Sequence, residues 1–154
     1  MPQITKRGKF IFGWSVINRG LVVLPPQAVQ EYGLNDHENL ILITGSKATG
    51  GFVVARQTVL AASSLAPLFA AQPELAQCTL PAGKFVRYKG RGYAWTRLHA
   101  GQRLQLSAET QSYLSLQDGD RLLCIRGSNL GFVCGLHGPL VDRAQSHPEI
   151  EVFD

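Results

Sequence analysis

Acidic residues are missing from two long stretches of this chain. None occurs between Met1 and Gln30, and none between Leu75 and Ala108. The same stretches hold Lys6, Arg7, Lys9 and Arg19, then Lys84, Arg87, Lys89, Arg91, Arg97 and Arg103. That is ten of the fifteen basic residues and none of the eleven acids. The net charge of +4 is uninformative; its segregation points to a basic surface facing a polyanion, with two solvated basic loops as the plainer reading. Cysteine is scarce: Cys78, Cys124 and Cys134 are odd in number and have no C-x-x-C or other metal-ligand spacing. Free thiols in a reducing compartment are the simplest account, with Cys124 and Cys134 as small buried hydrophobes on paired strands. No apolar run is long enough to span a bilayer, and the basic first residues lead into no signal-type apolar region. A soluble, cytoplasmic protein is expected. H-E-x-x-H, G-x-S-x-G and G-x-x-x-x-G-K-S/T are all absent, and no two of His37, His99, His137 and His147 have helical metal-ligand spacing. The expectation is a protein that is not an enzyme and carries neither cofactor nor metal.

What is present argues for a packed core: 45% of residues are hydrophobic and 17% charged. The chain also repeats itself. Leu24-Pro25-Pro26-Gln27-Ala28-Val29-Gln30-Glu31-Tyr32-Gly33-Leu34 lies over the segment Leu106 to Leu116 with leucines matched at both ends. In the same register Asp36 meets Asp118, Leu40 meets Leu122, Ile43 meets Ile125, and Gly45-Ser46 meets Gly127-Ser128. Gly51-Phe52-Val53 then falls on Gly131-Phe132-Val133, Trp14 and Gly20 fall on Trp95 and Gly101, and Gln72 to Leu75 falls on His147 to Ile150. The units are 1–80 and 81–154. Half of 154 residues is near the lower limit for independent folding, so the copies are expected to need each other.

Each copy reads alike: a basic, aromatic-bearing segment, a short strand (Leu21 to Leu24, Arg103 to Leu106), and a helix of about two turns. Pro25 and Pro26 start the first helix and Gly33 stops it, whereas Ser107 caps the second and Glu109 suits its positive end. A tight turn follows, at Asp118-Gly119 in the second copy, and then a hairpin: Leu40 to Thr44 with Gly51 to Ala55, and Leu122 to Arg126 with Gly131 to Leu136. The Ala- and Leu-rich link from Thr58 to Leu80 is too apolar for a free linker. It reads as a short helix from Thr58 to Leu65 followed by irregular chain.

The string Arg19-Gly20-Leu21-Val22-Val23-Leu24-Pro25, a short helix, Tyr32-Gly33-Leu34, an acidic turn and a hairpin resembles the AbrB/MazE/SpoVT family. The second copy is similar in Leu114-Ser115-Leu116, Gln117 to Leu122 and its hairpin. The resemblance implies a mainly β fold with short helices, in which two copies interlock as a swapped-hairpin β-barrel that binds duplex DNA. Family members are mostly transcriptional regulators and antitoxins. Here one chain carries both copies, which implies an intramolecular pseudo-dimer; a homodimer with exchanged hairpins is the other arrangement. The second copy departs from the pattern at Ala100-Gly101 and at Ser107, where the family has proline, and places Arg97 and Arg103 around its glycine.

Lys and Arg at DNA phosphates release counterions, while reading sequence needs Arg, Asn or Gln at base edges. Arg19 and Arg97 lie beside glycine-containing turns after strands, with Asn18, Gln102 and Gln105 as further candidates. The aromatics Phe10, Phe12, Trp14, Phe85, Tyr88, Tyr93 and Trp95 fit either base stacking or half-buried strand positions, the latter favoured by strand preference. Gly90-Arg91-Gly92 is a basic glycine loop of the kind that cradles phosphate. Asp118 and Asp120 read as turn formers, as does His147-Pro148-Glu149. The expected function is DNA-binding transcriptional regulation. The alternatives are a protein-interaction module, antitoxin-like or scaffolding, and a small-ligand-binding barrel whose pocket is lined by the apolar link.

Overall fold

The computed structural model describes residues 4–6 and 9–154. In the first half the elements are β1 (Ile4–Lys6), β2 (Lys9–Val16), β3 (Leu21–Val23), α1 (Pro26–Glu31), β4 (Asn39–Thr44), β5 (Phe52–Arg56), α2 (Gln57–Ala61), α3 (Ala66–Ala71) and α4 (Pro73–Ala76). The second half supplies β6 (Val86–Tyr88), β7 (Arg91–Arg97), β8 (Arg103–Gln105), α5 (Ala108–Tyr113), β9 (Arg121–Ile125), β10 (Gly131–Gly135), α6 (Pro139–Ala144) and β11 (Val152–Phe153). The protein is mainly β with short helices. No helix among the described residues is long and apolar enough to cross a membrane.

Local chemistry sets most of these boundaries. Pro26 opens α1 at a position whose N–H has no helical partner, and Ser107 caps α5 by accepting from the Thr110 N–H at 3.1 Å. Pro67 and Pro73 begin α3 and α4 in the same way, so the link forms two further short helices where irregular chain was expected. Thr58–Leu65 is not one helix either: α2 ends at Ala61.

The main sheet runs β1-β2-β9-β10-β5-β4-β7-β6, with β11 parallel to β2. Two of its ladders join strands from different halves of the chain. β2 of the first half pairs with β9 of the second, and β7 of the second pairs with β4 of the first. Between them the two hairpins, β4–β5 and β9–β10, meet along β5–β10. The sheet does not close, which corrects the expected barrel. Three-residue strands β1 and β6 end the path, and β3 and β8 leave the sheet to form a separate two-stranded ribbon. Tight turns after β2 and β7 carry them away.

One face of the sheet covers a core common to both halves. Phe12, Val22, Leu24, Leu40, Phe52 and Val54 meet Leu98, Leu104, Leu122, Cys124, Phe132 and Cys134 in a single buried cluster. Neither half completes it. The other face carries two outer clusters: Trp14, Leu123 and Ile125 with Val141 of α6, and Ile41 and Ile43 with Leu60, Leu68 and Leu75 of α2 to α4. Trp14 is buried, and Trp95 is half-buried with its indole N–H donating to the Leu80 carbonyl at 2.6 Å. Phe12, Trp14 and Tyr93 are thus core residues. The thiols of Cys124 and Cys134 lie 3.6 Å apart in the common core as free cysteines, and burial drives the Cys134 thiol well above its ordinary pKa.

Tyr32 shows how the halves lock. It follows α1 in the first half, yet its ring packs on Phe132 of the second at 5.4 Å between centroids. Its hydroxyl donates to the Ser128 carbonyl at 2.8 Å and accepts from the Gly127 N–H at 3.1 Å, holding two successive residues of the β9–β10 loop. Desolvation by burial raises the Tyr32 pKa above 10.0, outweighing the Gly127 hydrogen bond and Arg126. The unfolded chain therefore loses this proton first as pH rises, and stability falls with pH through that window. Below 10.0 the contribution is fully present. Melting curves of wild type and Tyr32→Phe on either side of that value are expected to show a steeper alkaline loss for wild type. Identical pH profiles would remove Tyr32 from the lock.

Candidate nucleic-acid interface

The ribbon is built by alternation. β3 and β8 run antiparallel, with Leu21 opposite Gln105, Val22 opposite Leu104 and Val23 opposite Arg103. Val22 and Leu104 are completely buried and pin the ribbon to the common core. The flanking pairs turn outward, leaving Arg103 and Gln105 exposed beside half-buried Leu21 and Val23.

A turn stands at each end. In Asn18 to Leu21, Asn18 exchanges backbone hydrogen bonds with Leu21 at 3.0 and 2.9 Å. Arg19 and Gly20 both have positive φ, 52° and 76°. This is the two-residue hairpin geometry that matches strand twist. Arginine in that conformation costs about 1–2 kcal/mol, and contacts from the other half offset it. The Gly20 N–H donates to Asp118 Oδ1 at 2.9 Å, the Arg19 carbonyl accepts from Gln105 Nε2 at 3.1 Å, and the Gly20 carbonyl accepts from the Leu106 N–H at 2.7 Å. The Arg19 side chain is left exposed. The second turn, His99 to Arg103, is one residue longer, with Gly101 and Gln102 at φ of 81° and 63°. Its Gln102 carbonyl accepts from the Leu24 N–H at 2.8 Å, and Arg103 Nε donates to the Ala100 carbonyl at 2.9 Å.

Two further arginines stand where β-ladders run up to these turns. Arg97 ends β7 opposite Asn39, whose side-chain oxygen accepts from its Nε at 3.3 Å. Arg121 begins β9 opposite Val16 and lays its guanidinium over the Trp14 ring, 4.5 Å from the centroid. The nearby acids are engaged: Asp118 Oδ1 accepts from Gly20 and from Gln111 Nε2, and Asp120 Oδ2 accepts from the Gln117 N–H at 2.8 Å. The result is an exposed ribbon bordered by Arg19, Arg97, Arg103 and Arg121.

The basic residues singled out in the sequence fall at separate places among the described residues. Arg19, Arg97 and Arg103 gather at the ribbon. Arg87, Lys89 and Arg91 belong to the β6–β7 hairpin at the other end of β7, about 20 Å away for six strand steps. Lys84 is exposed in the loop before β6. Lys6 and Lys9 oppose each other across the β1–β2 hairpin, and Arg7 lies outside the described residues. Gly90-Arg91-Gly92 is not a phosphate cradle. Lys89 and Gly90 form a tight turn, Arg91 and Gly92 are already strand, and the Gly92 N–H donates to Thr44 Oγ1 at 3.0 Å. Among the described residues no three His, Cys, Asp or Glu side chains group as a metal site.

Arg121 and the cross-half role of Asp118 escaped sequence reasoning. Arg121 follows Asp120, outside the acid-free stretches, and reaches the first turn only because β9 pairs with β2. Asp118 was legible as a turn former, but its hydrogen bond to Gly20 spans the two halves.

If this anchoring sets the Arg19 turn, Asp118→Ala is expected to cost about 1–2 kcal/mol in urea unfolding, the range for a partly exposed charged acceptor. Gly20→Ala is expected to cost more, because a Cβ there meets the Leu106 carbonyl in a left-handed conformation. A neutral Asp118→Ala would contradict the anchoring. No protein-family model matches the chain, and no curated protein or solved structure matches it.

Proposed function

We propose that this protein binds duplex DNA as a small transcriptional regulator of AbrB-like type, with the β3–β8 ribbon and its two turns facing the nucleic acid. The observation that carries the reading is the ribbon itself: a two-stranded element, exposed on one face, with Arg19 and Arg103 on it and Arg97 and Arg121 at its flanks. A two-stranded ribbon fits the major groove, and arginine serves there both as phosphate partner and as bidentate reader of guanine. Gln105 is held by the Arg19 and Leu106 carbonyls, so it shapes the turn more than it reads bases.

The same reading takes the chain as an intramolecular swapped-hairpin pseudo-dimer of tandem units 1–80 and 81–154, acting in the cytoplasm without catalysis. Its support is the strand order, which is unchanged in kind when the halves are interchanged: β1, β2, β9 and β10 answer to β6, β7, β4 and β5. The turns are not equivalent. The first presents Arg19 where the second has Ala100, and the second is longer by Gln102. DNA contact is therefore weighted toward the Arg19 end, with Arg103 supplying the charge at the other.

Fluorescence anisotropy against random-sequence duplex, repeated across a salt series, tests this. Wild type is expected to bind with an affinity that falls steeply with salt. Arg19→Gln with Arg103→Gln is expected to weaken binding and to flatten the log–log salt slope by roughly one unit for each lost phosphate contact. Arg87→Gln, on the far hairpin, is expected to change neither. Binding and slope unaffected by the double change would move the interface off the ribbon.

A further inference from the structure

The face of the sheet opposite the common core is not fully covered. Where the hairpins meet, Val53 of β5 lies directly opposite Val133 of β10, and both point away from that core and are only half-buried. Their strand neighbours Phe52, Val54, Phe132 and Cys134 point the other way and are completely buried. Over the valine pair lies an open cavity of about 450 Å³. Ile43, Ile125 and the valines form its floor, and Leu60, Leu65, Leu130 and Leu140 its walls. A second recess of about 220 Å³, bounded by Pro139 and Val141, shares Thr49, Ile125, Val133 and Leu140 with the first and extends it under α6.

The polar groups of this cleft are one-sided. Neither recess is lined by an aspartate or glutamate, whereas the larger one is lined by two guanidinium groups, Arg91 and Arg126. Arg91 donates one N–H to the Thr44 carbonyl at 2.5 Å and pairs with no carboxylate among the described residues. Arg126 gives Nε to Glu31 at 3.2 Å and one terminal N–H to Asn129 at 3.3 Å. Both keep further donors, and the hydroxyls of Ser46, Thr49 and Ser128 stand along the same cleft.

An apolar trough of this size with cationic donors and no acid is the chemistry of a small amphipathic anion. Volumes of roughly 300–1,000 Å³ with a few convergent polar groups are typical of small-molecule sites. A carboxylate meets a guanidinium by paired, charge-assisted hydrogen bonds. We propose that this cleft binds a medium-chain organic carboxylate, its chain over Val53 and Val133 and its head group at Arg91, with Arg126 and the hydroxyls alongside. The site is separate from the β3–β8 ribbon and does not depend on DNA binding. It also gives Arg91 a role other than the polyanion contact expected from sequence.

Isothermal titration of the full chain with decanoate, below its micelle concentration, tests the assignment. One saturable site per chain is expected, with decanol binding at least about tenfold more weakly because it lacks the charged partner. Arg91→Gln is expected to weaken decanoate about tenfold, the loss of one charge-assisted contact. Lys84→Gln, an equal change of charge away from the cleft, is expected to leave it unchanged. Val133→Trp fills the trough and is expected to abolish binding. Should that variant not melt as a folded protein, Leu140→Trp blocks the same space from α6. No saturable binding, equal affinity for decanol and decanoate, or decanoate binding that survives both Arg91→Gln and a folded trough-filling variant would each overturn the proposal.

Discussion

The ladders that join β2 to β9 and β4 to β7 are the constraint on which the rest of the structure depends. Each ties an outer strand of one half to the hairpin of the other, so neither half can satisfy its backbone alone. The packing follows the same division. Phe12 and Tyr32 of the first half meet Phe132 of the second at 6.2 and 5.4 Å, and Leu104 of the second lies against Val22 of the first. Each half, near the lower size limit for independent folding, thereby shares one core with the other.

This pairing across the halves also makes the ribbon. Because β2 and β7 are committed to opposite hairpins, the chain leaving each must turn sharply, and the two departing strands find each other. The Asn18–Leu21 hydrogen bonds close the Arg19 turn, and Asp118, Gln105 and Leu106 of the other half hold it from outside. An arginine in a left-handed conformation is tolerable there because the surroundings over-determine it. The two faces of the sheet then diverge in character. The face toward the common core is buried, whereas the outer face is covered only at its sides by α2 to α4 and by α6, leaving the valine pair half-buried between them.

Much of this was legible in the sequence, because the information is local or periodic. Leu104 flanked by polar residues gave the strand β8, Pro26 and Ser107 gave two helix starts, and the matched hairpins gave β4–β5 and β9–β10. The aromatics of β2 and β7 were correctly weighted toward the core. What the sequence does not report is the placing of distant strands. Arg87, Lys89 and Arg91 share an acid-free stretch with Arg97 and Arg103, but β7 is extended, so six residues become a separation greater than a Debye length at physiological salt. Arg121 was passed over for the complementary reason: its sequence neighbours are acidic, yet its ladder partner is Val16. Closure of the sheet was expected from resemblance, and no sequence pattern reports on it; the three-residue edges β1 and β6 leave it open.

The interlock is tested most directly by severing the chain between Leu80 and Pro81 and preparing 1–80 and 81–154 as separate polypeptides. The cut falls in the loop between α4 and β6 and breaks no ladder. Circular dichroism and thermal melting should show neither fragment unfolding cooperatively alone, and an equimolar mixture regaining strand signal and a single cooperative transition. A cooperative, strand-rich fold for either fragment by itself, or no recovery on mixing, would contradict the account.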